Sequence, residues 1–329
     1  MAAFGALNVG WLGVIIMLFG TVSLFNDASY QSILLQLVPQ TLLIHANVRL
    51  EQSDAVARIS GPTLAGVLIA WVGAPFALLV DAVGHLFSAI VNASIPNSPP
   101  TERAPDNDAG KQIMEGLRWV YGHRQLSTLA LNTNAWFLFN AVVGTVMTPF
   151  ALRALGFSAV TLGAVLSAAG IGALLGTSFS TRAAQHWGVG RAIAVARTLY
   201  VPSLVLIALA PLAHHNTFQA TALVMVSSGR FLYGLAMGIE GPLEISFRQS
   251  VTPAQLQGRT NATMRSTNRG MLAIGAPLGG AIADTLGFHA AFWIAVAGMV
   301  MVAVWYRLSP MYHAQFAQQT GSGAQISIP

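Results

Sequence analysis

The run Leu129–Phe150, LALNTNAWFLFNAVVGTVMTPF, contains no charged residue and is long enough to cross a bilayer as a single helix, because the hydrocarbon core takes about 20 apolar residues in helical form. Its asparagines, Asn132, Asn134 and Asn140, are poorly solvated by lipid, so each is expected to face another helix or a polar lumen. Similar runs lie at Trp11–Leu37, Val56–Val72, Phe76–Ile95, Val160–Phe179, Ala192–Leu212, Phe218–Phe247, Gly270–Leu286 and Phe288–Trp305. The second and eighth spans start in amphipathic extensions. The sequence therefore predicts an all-α integral membrane bundle of about nine transmembrane helices.

The composition leads to the same class. The 329 residues are 54% hydrophobic and 8% charged, against about 25% charged in soluble domains. So few charges cannot coat a water-soluble surface, and most of the surface is expected to face lipid. The net charge of +5 comes mainly from arginines, with Lys111 the single lysine. These bases sit in short segments between apolar runs, a pattern that orients a membrane protein and does not point to nucleic acid. The absence of cysteine excludes disulfides and thiolate metal sites. The amino terminus has no basic region before its apolar run, so a cleavable signal peptide is not expected.

Arg49 and Arg58, the group from Arg103 to Arg124, then Arg182, Arg191 and Arg197, then Arg248 to Arg269, and finally Arg307 are assigned to one side. Arg153 stands on the other, and Arg230 falls inside a span. The basic side is read as cytoplasmic, which predicts a multi-pass protein of the inner cell membrane with its amino terminus outside and its carboxyl terminus inside. Residues 97–125 form the longest polar stretch. They are read as a cytoplasmic linker, flexible around Pro99, Pro100 and Pro105, with a surface helix from Lys111 to Tyr121. This divides the chain into 1–96, an incomplete helical half, and 126–308, a six-helix half, followed by a polar tail at 309–329 expected to be disordered.

A repeat with a shift of 214 positions relates the two halves. It pairs Gly20 with Gly234, Pro39 with Pro253, Asn47 with Asn261, Gly61 with Gly275, Gly66 with Gly280, Gly73 with Gly287 and Gly84 with Gly298. Parallel repeats of this kind build transporters with a substrate site between the halves. In the same register Met1 corresponds to His215, so about three helices of a six-helix half are expected to be missing. The G-x-x-x-G pairs Gly172/Gly176, Gly234/Gly238 and Gly275/Gly279 predict close helix contacts.

The stretch Asn26–Asp27 to Pro39, with Ala46–Asn47, Gly61–Pro62 and Gly66, resembles the fourth to sixth helices of major facilitator exporters. Its counterpart in the second half is VTPAQLQGRTNA from Val251, followed by Gly275, Pro277, Gly279 and Gly280, and the linker run Glu115–Arg118 is similar as well. The group most resembled contains the enterobactin and macrolide exporters. The family's signature loop, which follows its second helix, is expected to fall in the missing part, and its second-half relative, Gly176–Arg191, keeps Gly188, Gly190 and Arg191 but has no acid. The resemblance implies a truncated major facilitator-type bundle and secondary active transport. The expected activity is proton-coupled efflux of a small amphipathic drug or siderophore-like compound, with the bilayer, protons and that substrate as partners and no cofactor. A non-transporting remnant, or a subunit of a larger assembly, is the alternative. An intramembrane enzyme is disfavoured, since no P-loop, dinucleotide fingerprint or nucleophile elbow is present.

Ionisable groups inside spans are costly and mark candidate sites. Asp27 is read as a cation or proton site, or as the partner of a loop arginine. Glu240 and Glu244 are four residues apart, on one helix face, where two acids can share a proton; Glu240 is read as the carrier and Glu244 as the partner of Arg248. Arg230 either holds an anionic substrate or neutralises a carboxylate such as Asp81. Asp81 and His85 are also four apart, as a proton relay or a structural hydrogen bond, and two such ligands are too few for a metal.

Overall fold

A computed structural model describes residues 18, 38–39, 42–72, 74–94, 109–214 and 219–315. Apart from Leu18, the predicted span Trp11–Leu37 lies outside them, and with it Asp27. Regular structure among the described residues is entirely helical. The helices are α1 (Leu43–Val72), α2 (Ala74–Ala93), α3 (Ala109–Gly122), α4 (Arg124–Pro149), α5 (Ala159–Trp187), α6 (Val189–His214), α7 (Gln219–Val251) and α8 (Gln257–Leu308).

Five of these are long and apolar enough to cross a membrane, against the nine spans read from sequence. Part of the difference is at Gly287, where φ is 84°: the helix direction breaks inside α8, so two predicted spans run on as one element. Glycine adopts this left-handed conformation without the clash of a Cβ. Gly188, with φ of 80°, ends α5 in the same way, its N–H donating to Ala184 O at 2.9 Å. Of the other predicted spans, Val56–Val72 and Phe76–Ile95 fall in α1 and α2, helices of 30 and 20 residues, and Trp11–Leu37 lies outside the described residues apart from Leu18.

The small-residue spacings become the helix contacts. Gly172 and Gly176 of α5 lie against the backbone of Phe231 and Leu235 on α7, and Gly234 and Gly238 of α7 lie against Ala169 and Ala173 on α5. A Cβ at any of the four would meet a carbonyl oxygen, so the two helices approach backbone to backbone. Gly275 and Gly279 of α8 pack in the same manner on Leu138 and Val142 of α4. Helix α6 fills the angle between α7 and α8.

Helix α1 packs across α5 and α7. Buried Asn47 donates to Gln249 Oε1 at 2.8 Å and to Ser246 Oγ at 3.1 Å on α7. Helix α3 lies on the start of α8, with Gly116 against Arg259 and Thr263 and an ion pair between Glu115 and Arg259. Large apolar side chains such as Phe76, Leu86 and Phe87 on α2 and Val160 on α5 point outward. That distribution suits a protein whose solvent is lipid.

Candidate functional site

Four helices meet around one buried cation. Arg197, about two turns into α6, is 1% exposed. Its Nη2 lies 3.1 Å from Glu244 Oε2 and its Nε 3.5 Å from Glu240 Oε2, both on α7. Nη2 also donates to Thr133 Oγ1 at 2.9 Å and Nη1 donates to Asn132 Oδ1, both on α4. The guanidinium carbon stands 5.1 Å from the Tyr306 ring of α8. Asn132 is itself fixed by donating to Val302 O at 3.0 Å. Such a network is stable only because nearly every donor has a partner, since an isolated buried charge is very costly.

The two carboxylates are held differently. Glu244 accepts from Thr133 through Oε1 and from Arg197 through Oε2, so both oxygens are engaged. Glu240 accepts from Tyr200 through Oε1 at 3.1 Å, while its Oε2 accepts no hydrogen bond and has only the longer contact with Arg197. Pro242 sits between them on α7. It has no N–H to return to the carbonyl four residues earlier, which loosens the helix where the acids project.

Both acids line an open cavity of about 380 Å³ walled by α4, α7 and α8. Trp136, Phe137 and Tyr233 form an aromatic wall, and Asn140 hydrogen-bonds the Tyr233 hydroxyl. The Tyr200 ring lies 4.8 Å from Tyr233 and 5.5 Å from Trp136, tilted against both, and links that wall to Glu240. Arg248, Arg265 and Arg269 supply cationic groups to the lining. Among the described residues no group of three or more metal-ligating side chains occurs.

Of the candidates read from sequence, Glu240 and Glu244 lie at this site. Arg230 is one ring removed: its guanidinium carbon is 5.3 Å from the Tyr233 ring, not against Asp81. Asp81 and His85 do pair, at 3.8 Å, but on α2, with side chains 72% and 65% exposed and outside the cavity lining. Asp27 lies outside the described residues. Asn140 lines the cavity, Asn132 braces Arg197, and Asn134 turns to Tyr121 of α3 at 3.1 Å. Arg197, read from sequence only as one of the cytoplasmic-side bases, is the centre of this network. The available signal was its position inside the run AIAVARTLYVPS with Tyr200 one turn on.

A family profile described as transmembrane secretion effector matches residues 1–324. The uncharacterized MFS-type transporter YbcL of Bacillus subtilis is 23% identical over 169 residues, covering 51% of this chain and 40% of that protein. The uncharacterized MFS-type transporter y4rN of Sinorhizobium fredii is 23% identical over 312 residues, covering 90% of this chain and 72% of the relative. The chain thus matches less than half the length of the Bacillus relative. A crystal structure of a bacterial homologue of the iron transporter ferroportin, in an outward-facing state, superposes with a TM-score of 0.64 at 16% identity. That match covers 93% of this chain and 75% of the other, and it establishes a shared fold.

Proposed function

The chain belongs to the transmembrane secretion effector family of major facilitator transporters, and on that footing we propose that it is a secondary transporter exporting a small amphipathic molecule in exchange for protons. The observation that carries this reading is Glu240, which lines the cavity while its Oε2, accepting no hydrogen bond, lies 3.5 Å from Arg197. A proton there cancels the attraction between α7 and the α6 cation, and its loss restores that attraction. Coupling requires one ligand to bias a conformational equilibrium that the other also senses. A carboxylate shared between the substrate cavity and an interhelical ion pair meets that requirement.

The wider arrangement follows the same reading. A half at 1–96 and a half at 126–308 flank a cytoplasmic linker at 97–125, in an inner membrane crossed about nine times, with the amino terminus outside. The packing of α1 over α5 and α7, closed by Asn47, supports contact between the halves. The test is a vesicle assay with the full chain, measuring accumulation of ethidium and anilinonaphthalene sulfonate under an imposed pH gradient. Accumulation of either dye that collapses with the gradient supports the reading. Dye movement indifferent to the gradient removes proton coupling, and no movement of any compound in a broad panel removes transport.

A further inference from the structure

The cavity is graded along its length. On α7 its lining runs Tyr233, Met237, Glu240, Glu244, Arg248, and at 1.5 Å per residue the ends are about 22 Å apart. Trp136 and Phe137 of α4 stand at the tyrosine side. Across from α7, α8 contributes Arg265 and Arg269, four residues apart and hence on one helix face. Asn268 lies beside them with no hydrogen-bond partner for its Oδ1, and its amide can turn to present either oxygen or N–H.

Charge counting gives this grading a sign. Two carboxylates and three guanidinium groups line the cavity, and a fourth guanidinium, Arg197, already engages both carboxylates from behind. An incoming cation would meet two acids already paired with Arg197, one of them loosely, and an excess of positive charge. Arg248, Arg265 and Arg269 have interactions within the protein as well. A guanidinium carries five N–H donors in a planar fork, so it can hold a protein partner and still donate to an anion.

We infer that the transported molecule is an organic anion with a ring-bearing apolar body, its ring against Trp136, Phe137 and Tyr233 and its acidic head toward Arg248, Arg265 and Arg269. This rests on the cavity being the substrate site. The recognising chemistry is common to carboxylate, sulfonate and phosphate heads, each of which accepts paired N–H bonds.

The test compares naphthoate, naphthamide and naphthylmethylammonium, which share a ring system and differ in charge. Binding to the full chain in lipid nanodiscs is followed by calorimetry, with empty discs subtracted. Naphthoate should bind tightest, and added salt should weaken it alone. Arg265→Gln and Arg269→Gln should each weaken naphthoate roughly tenfold, the effect of one charge-assisted hydrogen bond, and leave naphthamide unchanged. Naphthamide or naphthylmethylammonium binding as tightly as naphthoate, or arginine variants weakening all three alike, would overturn the anion assignment. If naphthamide binding is then abolished by Trp136→Ala, the cavity still stands as the substrate site. Absence of protein-dependent binding by all three removes the cavity and the anion together.

Discussion

Glu240 Oε2 lies 3.5 Å from Arg197 Nε and accepts no hydrogen bond, whereas both oxygens of the neighbouring Glu244 are occupied. One guanidinium therefore serves two carboxylates unequally. The consequences divide into what the network does for stability and what its loosely held oxygen does for coupling.

Arg197→Gln leaves two carboxylates buried together and is expected to cost about 3–5 kcal/mol of stability, the scale for breaking a buried pair from one side. Folded yield and thermal unfolding of the detergent-extracted protein measure it. Combining Arg197→Gln with Glu240→Gln and Glu244→Gln should recover part of the loss, because the uncompensated charges are then gone. Unchanged yield for the single variant would mean that the ion pairs hold nothing together.

Gly234→Ala places a methyl group on the Ala169 carbonyl and should destabilise by roughly 1–3 kcal/mol, the usual cost of overpacking. Gly163→Ala, on α5 with open space at its Cβ position, should be neutral or slightly stabilising. Equal thermal stabilities for the two variants would contradict the backbone-to-backbone packing of α5 on α7.

These contrasts mark what can be read from a single sequence. The Gly172/Gly176 and Gly234/Gly238 spacings were legible because small residues one turn apart leave a groove, although not which grooves would meet. Glu240 and Glu244 were legible because an acid inside an apolar run needs a reason. Arg197 was not, because an arginine near a helix start fits an interfacial anchor equally well, and its partners on α7 are some 45 residues away in sequence. The Trp136–Tyr200–Tyr233 cluster draws on three helices, and no spacing within any one of them announces it. Asp81 and His85 show the converse: correct spacing and a real contact, on a helix outside the cavity lining.

Asn47 ties α1 to α7 through Gln249, and a double-variant cycle of Asn47→Ala with Gln249→Ala should give a coupling of about 1 kcal/mol. Thermal unfolding of the four proteins supplies the cycle. Additive losses would show that this contact does not hold the two helices together.

The orientation drawn from the arginines is testable directly, because the chain has no cysteine of its own. Single cysteines at residue 1 and at Thr217 should react with an impermeant maleimide in intact cells. Cysteines at Asp106 and Gln319 should react only after the membrane is opened. Labelling of Asp106 but not Thr217 in intact cells would invert the topology.

The most direct test of the proton's place is gradient-driven transport by Glu240→Gln in vesicles, using whichever dye the wild-type chain accumulates. The glutamine keeps an acceptor for the Tyr200 hydroxyl and removes the titratable oxygen. The variant is predicted to equilibrate the dye at the same rate with or without a pH gradient, and never to concentrate it, while Glu244→Gln lowers the amount of folded protein but leaves what remains coupled. Dye accumulation by Glu240→Gln to the wild-type level would contradict the account.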